Sequence, residues 1–404
     1  MSVRPRVLFV SHEGTRTGAP MMLLHFLRWL RDEGSIDPEV ALLRGGPLTE
    51  EFAEVAPTTV LGEAHDWPAP SRPERLFRRL GMPDASFRAQ RAHVRRIVAP
   101  LRSARNVYLN SSVSLRLLHH LPEAEVAIAH VHELGSSMRW SLRPQDPPLL
   151  RDRVTHFVAA ADCVAQSLVD NYSISPDDIT RLYEFIDTGR VIAPPEQGAG
   201  ELRRSLGLPP EARIIGGTGW ADWRKGVDLF VQLGREVVAS GADDVHLVWV
   251  GGLPGGFEQE QIEHDVAHAG VEGRLHFTGL QARPFDWYRM FDVFALTSRE
   301  DPYPLVGLET ALLGVPMVCF ERSGGMEELI RRSTDEGRGE AGSVVPYLDV
   351  EAMAGAALDL ISDGERRDAM GRQAGEIVRR DHDVAVAAPE LAEIVHRVIG
   401  ERRS

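Results

Sequence analysis

The stretch IIGGTGWADWRKGVDLFVQL, residues 214–233, contains the structural pattern that recurs along the chain. A short β-branched run is followed by a glycine-rich loop and then by apolar residues at helical spacing. The same alternation recurs along most of the chain and is typical of α/β folds with parallel sheets. The short runs are apolar on both faces, as expected of strands that helices cover on both sides.

A proline- and glycine-containing stretch at residues 193–198 interrupts the alternation and predicts a linker. A chain of 404 residues is also too long to fold around a single hydrophobic core. We therefore expect two doubly wound, Rossmann-like α/β domains facing a cleft, residues 1–190 and 191–383, with ligands at the carboxyl ends of the strands. Strands are predicted at 7–11, 40–43, 107–110, 126–130, 157–159, 214–217, 246–251, 275–278, 293–296, 317–320 and 343–345, and helices at 19–32, 113–120, 227–238, 304–313 and 353–362.

Composition narrows the class of protein. Hydrophobic residues make up 43% and charged residues 26% of the chain, which is ordinary for a globular protein. A net charge of −14 argues against a general nucleic-acid-binding protein. The two cysteines, Cys163 and Cys319, lie far apart in the sequence and favour a reducing, cytoplasmic environment. The apolar runs near the N-terminus are too short for a signal peptide or a membrane span.

A single lysine, Lys225, stands among 45 basic residues, and all the others are arginines. Lys225 follows Arg224 at the start of the helix predicted at 227–238, where the helix dipole disfavours cations. A bound anion would offset that cost, whereas two solvated surface charges are the alternative. A lysine kept in an arginine-rich chain favours the anion site, because an ammonium is a compact point charge that a guanidinium does not replace.

A second polar segment, SREDPYPLVGLETALLGVP at residues 298–316, follows a predicted strand. Its carboxylates Glu300 and Asp301 precede a helix that we expect to begin near Pro304. Glu309 lies within that helix among apolar neighbours, where a carboxylate without a partner is costly. A pair of sugar hydroxyls would suit it, because a carboxylate accepts two hydrogen bonds at once. An exposed helix glutamate is the alternative.

Two motifs of the N-terminal half also end predicted strands. SHEGTRTGAP, residues 11–20, leads into a helix, and the amide of its Gly18 lies where free N–H groups and the helix dipole favour an anion. AHVHE, residues 129–133, places His130 and His132 on one face of a strand end. Two histidines at this spacing can bind zinc, but we see no companion ligands and predict no metal site.

Together these motifs resemble the retaining glycosyltransferases of family 4, which have the two-domain GT-B fold. The resemblance covers residues from about 6 to 346. It implies an acceptor-side domain at 1–190, a nucleotide-sugar-binding domain at 191–383 and a terminal helix, 384–404, that crosses back to the N-terminal domain. The matching features are the Gly18 loop, the His132 strand end, the Lys225-Gly226 pair, the segment from Asp301 to Glu309, and the turns at 314–316 and 324–325.

The resemblance implies metal-independent transfer of a hexose from a nucleotide sugar, with retention at the anomeric carbon and no cofactor. The acceptor would be a sugar, a lipid-linked molecule or a secondary metabolite, and not a nucleic acid. The implied catalytic residues are His132 beside the sugar, Lys225 on the diphosphate and Asp301 on the sugar hydroxyls. The implied donor-binding residues are Gly18, Arg224, Lys225, Glu300, Asp301, Leu305, Val306 and, on the ribose, Glu309.

Four features depart from the family pattern, and one of them is Glu184-Phe185, which stands where the family commonly has an asparagine-glycine turn. Asp301 stands where the family usually has glutamate, which leaves Glu300 and Asp301 as alternative working carboxylates. Trp220 replaces a common arginine, and Pro304 replaces a glycine and so removes an N–H donor. A GT-B epimerase or phosphorylase and a non-catalytic glycan-binding relative stay open as alternatives. A nucleotide-dependent oxidoreductase is suggested only by the glycines at 216–219, which lack the full spaced motif.

The segment from Arg72 to Arg105 departs from the acidic average, with ten arginines and two acidic residues. The arginines recur at helical spacing beside apolar residues, and Gly81-Met82-Pro83 separates two short helices. One interpretation is a solvated face whose apolar side packs on the domain. The other is attraction to an anionic partner, either a charged acceptor or the inner face of a membrane, to which the protein would bind peripherally.

Overall fold

The computed structural model describes residues 4–62, 71–253 and 255–402. These residues form two compact units. The first unit contains the chain up to Tyr183 together with the segment that begins at Ala387, and the second runs from Glu184 to Val386. Among the described residues, no helix combines the length and the apolar character needed to cross a membrane.

The first unit is built on a seven-stranded parallel sheet. Its strands are β1 (Arg6–Ser11), β2 (Asp37–Leu42), β3 (Thr58–Val60), β4 (Asn106–Asn110), β5 (Val126–Val131), β6 (His156–Ala159) and β7 (Ile179–Arg181). They lie in the order β3-β2-β1-β4-β5-β6-β7. Its helices are α1 (Gly18–Glu33), α2 (Thr49–Val55), α3 (Arg72–Arg79), α4 (Pro83–Val98), α5 (Gly135–Ser141), α6 (Pro147–Asp152) and α7 (Asp162–Tyr172), with 3₁₀ turns at Ala99–Leu101, Ser112–His120 and Pro176–Asp178.

The second unit is built on a six-stranded parallel sheet. After α8 (Thr188–Ile192) and α9 (Ala199–Ser205), strands and helices alternate: β8 (Arg213–Thr218), α10 (Val227–Ala239), β9 (Val245–Val250), α11 (Phe257–His268), β10 (Leu275–Phe277), α12 (Pro284–Tyr288), β11 (Val293–Leu296), α13 (Leu305–Leu312), β12 (Met317–Phe320), α14 (Gly325–Asp335), β13 (Gly342–Val345), α15 (Val350–Ser362) and α16 (Gly364–Asp381). The strand order is β10-β9-β8-β11-β12-β13. The last helix, α17 (Val384–Glu401), begins in this unit and continues into the first.

Each of the eleven predicted strands overlaps a strand of the structure. The two strands that sequence analysis missed, β3 and β7, have three residues each and lie at opposite edges of one sheet. The helix predicted at 113–120 is wrong in type, because Ser112–His120 is a 3₁₀ helix. The hydroxyl of Ser114 donates to the carbonyl of Val10 at 3.1 Å and ties this tighter helix to β1.

The packing inside the second unit brings the end of β8 close to its neighbours. Gly217 lies in the buried part of that strand, and a Cβ atom there would lie 2.6 Å from the ring of Trp249. The Trp249 and Phe230 rings pack edge to face with their centroids 5.2 Å apart. The core therefore fixes the loop that leaves β8 and leads to Lys225.

Candidate functional site

The loop between β8 and α10 carries Arg224 and Lys225 and is fastened to the loop that follows β11. The Thr297 hydroxyl donates to the carbonyl of Lys225 at 3.0 Å, and the Arg299 amide donates to the carbonyl of Arg224 at 2.8 Å. Gly226 has a φ of +70°, and a Cβ atom there would lie 2.1 Å from the Thr297 carbonyl oxygen. Glycine is therefore needed next to Lys225 for the two loops to approach this closely.

The carboxylate of Asp301 lies between both cations of this loop. The Lys225 ammonium Nζ is 2.5 Å from Asp301 Oδ2, and Arg224 Nη1 is 3.2 Å from Asp301 Oδ1. The Ser298 hydroxyl donates to Asp301 Oδ2 at 3.0 Å. The side chains of Lys225 and Asp301 are only 12% and 7% exposed. Sequence analysis had not assigned a role to Ser298.

Burial and the neighbouring charges shift the pKa values of this ion pair in opposite directions. Burial alone would raise the pKa of the Asp301 carboxyl, but Lys225 and Arg224 outweigh it and hold that pKa below its usual value. Burial lowers the pKa of the Lys225 amine, and the attraction of Asp301 opposes this. Asp301 is therefore ionised at neutral pH and supplies the nearest counter-charge for Lys225.

The two candidate carboxylates of the acidic segment have different positions. Asp301 contacts the cations with its carboxylate, whereas Glu300 contributes its main-chain oxygen, which accepts from Arg224 Nη1 at 3.1 Å. The Asp301 amide donates to the Ser323 carbonyl at 2.7 Å. Gly324, at a φ of +147°, allows this approach, because a Cβ atom there would lie 1.7 Å from the Asp301 carbonyl oxygen.

Helix α13 starts directly after this acidic loop. Pro304 is its N-cap, and the Gly307 amide donates to the Pro304 carbonyl at 2.9 Å. The amides of Leu305 and Val306 precede that first hydrogen bond of the helix. At the positive end of the helix dipole, such amides are suited to bind an anion.

Glu309 lies half-buried on α13. Burial raises the pKa of its carboxyl to about 7, although the nearby charges of Arg190 and Lys225 oppose the rise. Within the described parts of the chain, no residue donates a hydrogen bond to this carboxylate. Burial, followed by the charge of Glu309, also raises the pKa of the Tyr288 hydroxyl. The carboxylate of Glu309 thus has its acceptor sites available to a ligand.

In the first unit, Gly18 is the first residue of α1 and His132 directly follows β5. The buried side chain of Asn110, at the end of β4, connects the start of α1 to His132. Its Nδ2 donates to the carbonyl of Ala19 at 2.8 Å, and its Oδ1 accepts from His132 Nε2 at 3.1 Å. Sequence analysis missed Asn110, although a polar residue that ends a buried strand is a usable signal.

Two further contacts orient His132. Its amide donates to Glu133 Oε2 at 3.1 Å, and Glu133 also accepts from the Ser111 hydroxyl at 2.7 Å. The ring of His130 lies 4.0 Å from that of His132, centroid to centroid. Burial lowers the pKa of His130 well below its usual value, so this ring is neutral at pH 7.

The predicted site residues fall into two groups. Gly18 and His132 lie in the first unit. The second unit brings the others together at the carboxyl ends of β8 and β11 and on α13: these are Arg224, Lys225, Glu300, Asp301, Leu305, Val306 and Glu309.

The unit that contains these residues matches a known protein family. Residues 212–363, which include the Lys225 loop and α13, match the family described as Glycosyl transferases group 1. The match covers less than half of the chain. The matched residues lie in the unit that contains Arg224, Lys225 and Asp301, and the match agrees with the resemblance to family 4 noted in the sequence.

Two curated relatives have related sequences. The lipopolysaccharide core biosynthesis mannosyltransferase LpsB of Rhizobium meliloti is 31% identical over 197 residues, which are 46% of this chain and 52% of the relative. The D-inositol 3-phosphate glycosyltransferase of Corynebacterium aurimucosum is 25% identical over 284 residues, 69% of this chain and 65% of the relative. The chain thus spans between about half and two thirds of the lengths of these relatives.

Among solved structures, Anabaena Alr3699/HepE in complex with UDP and glucose superposes on this chain with a TM-score of 0.77. The two are 18% identical, and the match covers 97% of this chain and 100% of the other. Such a likeness concerns the fold. The predicted GT-B class, with two Rossmann-like parallel α/β domains, is therefore confirmed.

Proposed function

We propose that the protein is a retaining hexosyltransferase that moves a sugar from a nucleoside diphosphate sugar to an acceptor hydroxyl, without a metal ion. The observation that carries the proposal is the cluster of Lys225, Arg224 and Asp301 beside the start of α13. It combines two cations for a diphosphate with a carboxylate for sugar hydroxyls. The family match over residues 212–363 and the names of the relatives, which include a mannosyltransferase, support the same reaction class.

The donor-site roles follow from the chemistry of each group. Lys225 and Arg224 bind the diphosphate together with the amides of Leu305 and Val306, which face the positive end of the α13 dipole. The diphosphate would share these cations with Asp301. Of the two carboxylates in the acidic loop, Asp301 binds the sugar hydroxyls and Glu300 supplies the main-chain oxygen that orients Arg224.

Glu309 is assigned to the nucleotide ribose. Its carboxylate is half-buried and accepts no hydrogen bond from the described residues, and two vicinal hydroxyls would satisfy it. Gly18 and His132 keep the roles that the family resemblance gives them: the Gly18 amide contacts the donor phosphates or sugar, and His132 lies beside the transferred sugar. Asn110 acts as a positioning residue for His132.

The main catalytic contribution is stabilisation of the leaving diphosphate. As the bond between the anomeric carbon and the phosphate oxygen breaks, negative charge grows on that oxygen, and the preformed cations and amides stabilise it. The acceptor hydroxyl attacks from the same face, which retains the configuration, and its proton passes to the leaving phosphate. Because Lys225 and Arg224 supply positive charge, the reaction does not depend on a divalent ion.

A screen of nucleoside diphosphates and their glucose and mannose derivatives tests the donor assignment. A ligand that binds only the native state raises the melting temperature by mass action. Turnover with the best donor would then be followed by nucleoside diphosphate release, and the anomeric configuration of the product by NMR. Product with inverted configuration, or the absence of binding by every nucleotide, would overturn the proposal.

Two controls separate this function from the alternatives. Activity should persist in excess EDTA, and its complete loss, restored by a divalent ion, would contradict metal independence. A phosphorylase would hold its cofactor on a lysine, so visible absorbance of an aldimine on Lys225 would favour that class. Arg235→Gln, an exposed change on α10, is a matched control for Arg224→Gln and should keep full activity.

A further inference from the structure

The helix pair α3 and α4 lies in a basic segment of an otherwise acidic chain. From Arg72 to Arg105 there are ten arginines against two acidic residues, while the whole chain has a net charge of −14. On the inward side of α3, the polar side chain of Glu74 already has hydrogen-bond partners within the chain. Glu74 is buried, forms a capping box with Ser71 and pairs with Arg78 at 2.8 Å.

The outward side of α3 is both basic and apolar. Leu76 and Leu80 are 55% and 61% exposed, although leucines are usually buried. At 100° per residue, they share one continuous face with the exposed arginines 72, 75 and 79, and this face lies opposite Glu74. Met82, at the turn into α4, is 47% exposed beside it in sequence.

We propose that this face, defined by Arg72, Arg75, Leu76, Arg79 and Leu80, binds the surface of an anionic phospholipid bilayer. Arginines reach the lipid phosphates while the two leucines enter the boundary between headgroups and acyl chains, as in interfacial amphipathic helices. The charge of the face complements an anionic surface. The exposed leucines distinguish a lipid surface from a nucleic acid, whose phosphate backbone offers no apolar partner.

Helix α4 extends the attraction without adding apolar contacts. Its exposed arginines are Arg88, Arg91, Arg95 and Arg96, whereas its apolar residues Val94 and Val98 are buried. The proposal therefore assigns long-range attraction to both helices and insertion to α3 alone. It does not depend on the donor site, which lies in the other unit.

Co-sedimentation with vesicles tests the proposal. The full chain should bind vesicles of phosphatidylcholine with phosphatidylglycerol at least tenfold more tightly than vesicles of phosphatidylcholine alone, and binding should weaken in high salt. Each cation near an anionic surface contributes about fivefold, so Arg72→Gln/Arg75→Gln/Arg79→Gln should lower affinity on the order of 100-fold. Leu76→Ser/Leu80→Ser should lower it by about tenfold or more at every salt concentration.

The matched control is Arg151→Gln/Arg204→Gln/Arg372→Gln, which removes the same charge from exposed positions on α6, α9 and α16. This variant should bind anionic vesicles like the wild type. Circular dichroism and the melting temperature verify that each variant folds. Equal binding to neutral and anionic vesicles, no binding to either, or an equal loss in the control and in the α3 variant would overturn the proposal.

Discussion

Glu309→Gln should make the unliganded protein more stable at alkaline pH and leave its stability nearly unchanged below pH 5. The carboxyl of Glu309 has a pKa of about 7 in the folded chain, against an ordinary value of 4.5, because burial disfavours its charged form. A glutamine has nearly the same shape and carries no charge, so it removes this penalty.

The direction of the pH dependence follows from proton binding. The folded state holds the Glu309 proton more tightly than the unfolded state, so its contribution to stability is fully present below pH 4.5. It is lost as the pH rises towards 7. A shift from 4.5 to about 7 corresponds to a penalty of up to about 3 kcal/mol for the ionised form. Because the side chain is only half-buried, about 1–3 kcal/mol is the expected gain at pH 8.

Melting temperatures of the wild type and of Glu309→Gln, measured without ligand at pH 5 and pH 8, test this. One kcal/mol corresponds to about 2–4 °C for a unit of this size, so the variant should melt several degrees higher at pH 8. Glu376→Gln, a change at an exposed position of α16, is the control and should show no such difference. If Glu309→Gln melts lower than the wild type at pH 8, or has the same pH dependence, the reasoning about burial is refuted.

Three further changes probe the proposed donor site. Lys225→Arg should lower turnover by tenfold or more, about 1.4 kcal/mol, because a bulkier guanidinium does not fit the position held against Asp301; wild-type turnover would contradict this. Asp301→Asn should lower kcat, whereas Glu309→Gln should mainly raise KM for the donor, and steady-state kinetics showing the reverse would exchange their roles. Gly324→Ala should lower the free energy of unfolding by about 3 kcal/mol or more in urea denaturation, because its Cβ atom would lie 1.7 Å from the Asp301 carbonyl oxygen. Unchanged stability would contradict this and show that the loop rearranges to accommodate the methyl group.

Sequence analysis located the interior strands because their apolar runs are long enough to show a pattern. The edge strand Thr58–Val60 has three residues and leaves its side chains half-buried or exposed, so no apolar run marks it. The 3₁₀ helix Ser112–His120 has a helical apolar spacing, and a difference between three and 3.6 residues per turn is too small to detect over nine residues.

Local sequence motifs indicated the candidate site residues but not the contacts between them. Lys225 and Asp301 are 76 positions apart, and the sequence contains no sign that their side chains pair at 2.5 Å. The pairing depends on β8 and β11 being neighbours in the sheet, which is a property of the topology. The sequence likewise did not show that the Asp301 carboxylate contacts the cations whereas Glu300 contributes its main-chain oxygen.

The close contact between Gly226 and Thr297 also restricts how this unit can be redesigned. The loop after β8 and the loop after β11 touch through backbone atoms and share several hydrogen bonds, so the shape of each loop depends on the other. A loop taken from a relative to alter sugar preference would meet a surface shaped for its original neighbour. Exchange of donor specificity should therefore succeed with both loops transplanted as a pair and fail with either one alone.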